Sequence, residues 1–219
     1  MIKAKAIIFD MDGVITNTMP DHYRVWKKIF RKHGIVVSRF EVYEREGQKG
    51  IDSIDEIFEQ HGKPLTTSAA RKILRQKERA FRRKAGIRFI PGARQFLKSL
   101  HSKQFRLGLV TGTSRKELNQ ILPEGLRRLF HARITGTDVR DGKPHPEPYL
   151  KALQLLHVKP KDAIVIENAP LGIASAKGAG LRCLAIATSL PAKRLKRADR
   201  VFRSIKDLKR KVRFSRNKL

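Results

Sequence analysis

The sequence lacks most of what marks an exported, membrane-embedded or repetitive chain. It holds one cysteine, Cys183, so no internal disulfide can form and nothing points to an oxidising compartment. That cysteine lies in the apolar run Leu181–Ala187 and reads as a small core residue rather than a reactive thiol. No stretch approaches the roughly 18–20 apolar residues that cross a bilayer. The apolar run near the start of the sequence ends at Asp10 after four residues, too short for the hydrophobic region of a signal peptide. The cytoplasm is therefore the expected compartment, with no membrane contact. Aromatic residues make up only 7%, so a core drawn from the 40% of apolar residues must be mainly aliphatic. There is no internal repeat and no low-complexity segment. A chain of 219 residues suits one mid-sized domain, or a core carrying a smaller insert, and a monomer is expected.

Acidic residues are also scarce. Twenty Asp and Glu face 49 Lys and Arg, for a net charge of +29 and a pI near 11.0. Such a surface attracts polyanions in a salt-dependent way. Yet the charge is distributed: residues 71–88 hold nine basic residues and residues 193–218 hold thirteen, with apolar residues interleaved in both. That spacing suits amphipathic elements with solvated basic faces. The expectation is weak, non-specific polyanion binding rather than a dedicated nucleic-acid function.

What is present is an alternation of strand and helix patterns. Ala6-Ile7-Ile8-Phe9 is an uninterrupted apolar run, as in a strand buried on both faces. Helices follow at 20–34, from a Ser53-x-x-Glu56 capping box to about Gln60, and at about 66–85. Beyond Ile90-Pro91-Gly92 the rhythm changes. A helix at 92–102 precedes a strand at Arg106–Val110. Ser114-x-x-Glu117 opens another helix, and a short strand falls near 133–136. Pro146 begins a helix, Ala163–Ile166 is a strand, 170–178 a helix and Leu181–Ala187 a strand. This order predicts an α/β fold: a Rossmann-like parallel-sheet core with helices on both faces, residues 1–15 and 87–219, and a small inserted all-helical cap, residues 16–86.

In open parallel sheets, ligands bind beyond the carboxyl ends of the strands. Those positions hold Asp10 and Asp12, then Thr111, then Lys143 in a later loop, then Glu167 and Asn168. A carboxylate directly after a buried strand has little structural use. With a cation screening the substrate's charge, Asp10 can attack phosphorus and form an aspartyl-phosphate. Asp12 faces the same mouth, placed to protonate the leaving group and then activate water. Thr111 and the amide of Gly112 can donate to phosphoryl oxygens. Lys143 supplies positive charge to the nucleophile and the phosphoryl group. Glu167 and Asn168 offer oxygens to a hard cation, which suits magnesium.

The segments Phe9-Asp10-Met11-Asp12-Gly13-Val14, Leu109-Val110-Thr111-Gly112, Gly142-Lys143-Pro144-His145-Pro146-Glu147-Pro148 and Val165-Ile166-Glu167-Asn168-Ala169-Pro170 resemble the four motifs of the haloacid dehalogenase-like superfamily. Within it the chain is similar to the beta-phosphoglucomutase and phosphoglycolate phosphatase branch, over essentially its whole length. The resemblance implies Mg2+ held by Asp10, the backbone carbonyl of Asp12 and the acidic fourth motif, Glu167 and Asn168. It also implies Asp10 as nucleophile, Asp12 as general acid and base, and Thr111 and Lys143 on the phosphoryl group.

The fourth motif departs from its common form, Glu-Asp, in carrying Asn168, which brings an oxygen but no charge. The cap loop Glu44–Asp52 faces the leaving group and decides the substrate. Within it Arg45 or Lys49 is a candidate contact for a charged or hydroxylated leaving group, unless both face solvent. Arg115, after the phosphate loop, is a candidate for a second anionic group. Three readings remain in ranked order: a phosphatase acting on a small phosphorylated metabolite, a sugar phosphomutase, and a basic nucleic-acid-binding protein with a weakened site.

Overall fold

The computed structural model of the chain is described over residues 1–84 and 88–216. It opens with β1 (Ile2–Ala4) and β2 (Ala6–Phe9), followed by four helices: α1 (Met19–Arg31), α2 (Arg39–Glu44), α3 (Gly50–Gln60) and α4 (Thr67–Lys84). Then come α5 (Ala93–Ser102), β3 (Arg106–Val110), α6 (Arg115–Ile121), α7 (Glu124–Arg127), β4 (Ala132–Ile134), α8 (Glu147–Leu156) and β5 (Ala163–Glu167). The chain closes with α9 (Pro170–Gly178), β6 (Arg182–Ile186), β7 (Arg200–Phe202), α10 (Ile205–Lys211) and β8 (Phe214–Arg216). None of the described helices is long and apolar enough to cross a membrane.

Six strands form one parallel sheet in the order β4-β3-β2-β5-β6-β7, and β1 pairs with β8 as a separate parallel ribbon. β2 lies between β3 and β5, and all four of its side chains are buried. Its register sets the site: Phe9 is level with Leu109 on one side and Ile166 on the other. Asp10, Thr111 and Glu167 therefore leave the sheet at one edge. The order runs outward from β2 in both directions, so that edge is the topological switch point where such sheets bind ligands. Cys183 is buried in β6, as expected.

The chain leaves the core at Ile15–Asn17 and returns at Arg88–Ile90, and these segments pair antiparallel. Asn17 N donates to Arg88 O (2.9 Å) and Ile90 N to Ile15 O (2.9 Å). Between them, among the described residues, lie the four helices α1–α4, which form the insert. The expected boundary at 86/87 falls outside the described residues.

Two expectations need correction. Ser53 does not cap a helix, because α3 already begins at Gly50 and the Ser53 hydroxyl donates to Gln48 Oε1 (2.8 Å). The capping box belongs to Ser38 and Glu41, which open the unexpected α2. Val37 and Val42 are both buried around that box, the arrangement of a hydrophobic staple. At α6 only half a box forms. Ser114 Oγ accepts from Glu117 N (3.3 Å), while the Glu117 carboxylate faces Lys77 of α4 instead.

Candidate active site

Three charged side chains meet where β2, β3 and β5 end. Lys143 Nζ donates to Asp10 Oδ1 and Glu167 Oε1, both at 2.7 Å, and to Val110 O at 3.3 Å. All three side chains are buried. Removing ions from water is costly, and such a cluster persists only when each group is hydrogen-bonded. Glu167 meets that condition fully. Its Oε1 also accepts from the Tyr149 hydroxyl (3.0 Å), and its Oε2 accepts from Asn168 N (2.7 Å) and Ala169 N (3.1 Å). A carboxylate offers about four acceptor directions, and here all are taken. Glu167 therefore positions Lys143 and the turn, and has no free direction left for a cation.

Asp10 is in the opposite condition. Its Oδ2 is buried without a partner. Burial pushes Asp10 up to about 8, with Lys143 opposing and Glu167 and Asp12 adding to the rise. Lys143 itself is raised by Asp10 and Glu167 against its own burial, so it stays protonated. Burial and the neighbouring carboxylates thus oppose the ionised form that a nucleophile requires, and Lys143 favours it.

Asp12 is held as an anion by a separate set of donors. Thr113 Oγ1 donates to Oδ2 (3.0 Å), Thr18 Oγ1 donates to Oδ1, and His22 Nε2 lies 3.5 Å from Oδ1. Against burial, His22, Thr18 and Thr113 hold Asp12 down to about 2. His22 comes from α1, stacked on Phe81 of α4, so the insert helps to orient a core carboxylate. None of His22, Thr18 or Thr113 was anticipated from the sequence. His22 stands on the same helical stripe as Val25, Trp26 and Ile29, all buried. A histidine on an apolar stripe was the available signal.

The loop joining α2 to α3 closes over these groups. A side chain at Gly112 would collide with the carbonyl oxygens of Gly47 and Gln48, so a glycine is what lets the loop rest on the phosphate-loop position. Gly47 has φ +82°, and a Cβ there would lie 2.7 Å from Lys143 Cδ. Lys49 Nζ donates to Arg140 O (2.9 Å) and Val139 O (3.4 Å), tying the loop to the core. Arg45 turns back onto the insert, donating to Glu41 O (3.0 Å) and Gln60 Oε1 (2.8 Å). Arg115 forms a two-pronged pair with Asp138 at 2.6 and 2.7 Å. The structure thus brings Asp10, Asp12, Thr111, Gly112, Lys143, Glu167 and Asn168 together. The charged ends of Arg45, Lys49 and Arg115 are engaged elsewhere.

Between insert and core lies a cavity of about 260 Å³. Its wall is apolar at Met19, Trp26, Phe30 and Leu74 and polar at Gln48, Ser53 and the Lys77–Glu117 pair (3.3 Å). Glu46, which the sequence reading passed over, also lines it, buried and with both carboxylate oxygens unpartnered.

The residues present fit a hard divalent cation. Two buried oxygens at the strand ends, Asp10 Oδ2 and Asn168 Oδ1, have no partner. The Asn168 amide is fixed by donation to Ser189 Oγ (3.0 Å), which leaves its oxygen free. Oxygen donors of this kind, beside a carboxylate that lacks positive charge, suit magnesium.

Comparison with known proteins places this geometry. A family model described as haloacid dehalogenase-like hydrolase matches residues 4–180. The chain is 30% identical over 184 residues to a phosphorylated carbohydrates phosphatase of Thermotoga maritima, covering 81% of this chain and 82% of the relative. It is 30% identical over 215 residues to the beta-phosphoglucomutase of Bacillus subtilis, covering 93% and 91%. Among solved structures, a beta-phosphoglucomutase from Clostridium difficile superposes with a TM-score of 0.81 at 27% identity, covering 93% of this chain and 92% of that one.

Proposed function

This chain belongs to the haloacid dehalogenase-like hydrolase family, and from that premise we propose that it is a magnesium-dependent phosphatase acting on a small, hydroxylated phosphate monoester. The observation that carries this reading is Asp10 at the end of β2, held by Lys143 at 2.7 Å with its other oxygen free.

The chemistry follows from the residues. Asp10 attacks phosphorus and the bond to the leaving oxygen breaks, giving an aspartyl-phosphate and an alcohol that takes its proton from Asp12. Water then attacks the phosphorus, Asp12 accepts its proton, and Asp10 is released with inorganic phosphate. In the resting site Asp12 is a carboxylate, the form needed for the second half. A phosphoryl dianion beside it favours the protonated form needed for the first half. Lys143 holds one oxygen of Asp10 and faces the incoming negative charge. Magnesium, when held by Asp10, the Asp12 carbonyl and Asn168, supplies the further positive charge that keeps Asp10 ionised and screens the phosphoryl group. Glu167 supports this set through Lys143.

The cavity favours a phosphatase over a mutase. A mutase must hold a second phosphoryl group in the leaving-group space. Among the described residues that line the cavity, Arg45 is bonded to Glu41 O and Gln60, and Lys49 to Val139 O and Arg140 O. Lys77 is paired with Glu117, and His22 with Asp12. The paired groups suit hydroxyls instead. The basic residues Arg24, Lys27, Lys28 and Arg31 of α1, with Lys32 at its end, form a shallow patch that supports the expectation of weak, salt-sensitive polyanion binding outside the site.

The test is phosphate release across a panel of sugar, polyol and carboxylate phosphates, with and without Mg2+. Turnover of monophosphates of sugars or polyols that stops without Mg2+ is expected. Net conversion of one sugar phosphate to its isomer, with no phosphate released, would favour the mutase.

A further inference from the structure

Two features stand unexplained side by side. The fourth motif carries Asn168, an amide at a place where a carboxylate is common. The cap loop carries Glu46, a carboxylate with 5% exposure and no hydrogen-bond partner on either oxygen. An unpaired buried carboxylate costs several kcal/mol unless something compensates it.

The placement of Glu46 is enforced. Its loop rests on Gly112 and on the Lys143 side chain, and Lys49 ties it to the 139–140 carbonyls. A Cβ on the adjoining Gly47 would lie 3.1 Å from Lys143 Nζ, the atom that also holds Asp10 and Glu167, so buried Glu46 is enclosed beside the strand ends rather than set in solvent. Four buried carboxylates, Asp10, Asp12, Glu46 and Glu167, then face one ammonium, Lys143. One ammonium cannot balance four carboxylates, and a dication among them would supply the positive charge that lets them ionise together. The four acceptor directions of Glu167 are occupied and Asp12 is held by Thr18, Thr113 and His22. The free oxygens are therefore Asp10 Oδ2, Asn168 Oδ1 and the Glu46 pair.

We propose that Glu46 is a ligand to the divalent cation, brought by the cap loop to supply the charge that Asn168 lacks. The inference rests on the reading that the site takes magnesium. The ion would then join cap to core, with Asp10 and Asn168 on one side and Glu46 on the other.

The test is a calorimetric titration of Mg2+ alone into the full-length wild type, Glu46→Gln, Asn168→Asp and the double variant, with circular dichroism to verify folding. Glu46→Gln keeps size and shape, and removing charge from a crowded anionic site favours folding without metal. It should raise the Mg2+ dissociation constant about tenfold or more. Adding Asn168→Asp to that variant should restore most of the affinity, because the charge returns from the other side. Wild-type affinity in Glu46→Gln overturns the proposal. A loss that Asn168→Asp does not restore also overturns it, by assigning the effect to loop packing. Failure of the wild type to bind Mg2+ at all overturns the magnesium reading together with this inference, whereas the first two outcomes leave that reading standing.

Discussion

The strand ends and the cap loop both deliver buried charge to one place, by opposite means. At the strand ends, in-register pairing of β2 with β3 and β5 fixes where Asp10 and Glu167 emerge. Lys143 and Glu167 are there fully hydrogen-bonded. In the cap loop no ladder fixes direction. Position comes from glycines that allow close contact and from Lys49 reaching across, and Glu46 is left unpaired. The difference separates two tasks. The hydrogen-bonded edge holds the reacting groups, while the loop packed over them shapes the space that a leaving group enters.

Breaking the hydrogen-bonded edge should have the largest effect. Asp10→Asn removes the nucleophile while keeping its volume, and should lower kcat by roughly ten-thousandfold or more on any monoester. Activity near wild type in steady-state assays would exclude Asp10 as the nucleophile. Asp12→Asn should lower kcat about a hundredfold to ten-thousandfold on an alkyl phosphate. On an aryl phosphate, whose leaving group needs no proton, the first step should be spared. Phosphorylated enzyme should then accumulate, visible by mass spectrometry as an added phosphoryl group on the intact protein.

The next perturbation joins the two regions. Lys77 of the insert and Glu117 of the core form a buried pair, with side chains 7% and 3% exposed, and Lys77 lies 5.0 Å from the Phe81 ring centre. Lys77→Met strands Glu117, and should cost about 3 kcal/mol in urea unfolding. Adding Glu117→Gln should recover most of that loss. Because the pair lines the cavity away from phosphorus, KM should rise more than kcat falls in the single variant. Equal stability of the single and double variants would mean that the pair does not couple insert to core.

The same contrast explains what was legible in the sequence. Ala6–Phe9, Arg106–Val110 and Ala163–Glu167 are recognisable because uninterrupted apolar runs have few other uses, and the residues that follow them converge once the strands pair. β1, β7 and β8 have three residues each, too few for a periodic signal. The helix α2 was missed because Ser38-x-x-Glu41 and Ser53-x-x-Glu56 have the same spelling, and only the fold decides which serine precedes a first turn. Glu46 was missed for a related reason. Side-chain direction in a loop follows no period, and Arg45 and Lys49 carry the charge that suits an anionic or hydroxylated leaving group. Both proved to hold the loop in shape.

The smallest expected effect tests whether the hydrogen-bonded edge depends on an exposed support. Lys143 stands on a loop whose far end is gathered by Glu147: Oε1 accepts from Arg140 N (3.0 Å) and Oε2 from Asp141 N (2.8 Å), while Lys151 pairs at 2.7 Å. Lys151 and the Asp141 and Arg140 amides lower the Glu147 carboxyl to about 2, although its side chain remains 19% exposed. A folded pKa below the unfolded one means that the ionised form is preferred in the fold. The stabilisation is therefore complete above about pH 4.5 and disappears as pH falls towards 2. Solvent and salt screen such a pair, so the contribution is on the order of 1 kcal/mol or less. Glu147→Gln should lower unfolding free energy by that amount at pH 7, and the gap to wild type should narrow steadily below pH 4.5. Because Lys143 is also anchored from inside by Asp10 and Glu167, kcat should change less than twofold or so, well under the 1 kcal/mol that would cost about fivefold. A kcat that falls tenfold at pH 7 would show that the exposed carboxylate, and not the buried pair, sets the position of Lys143.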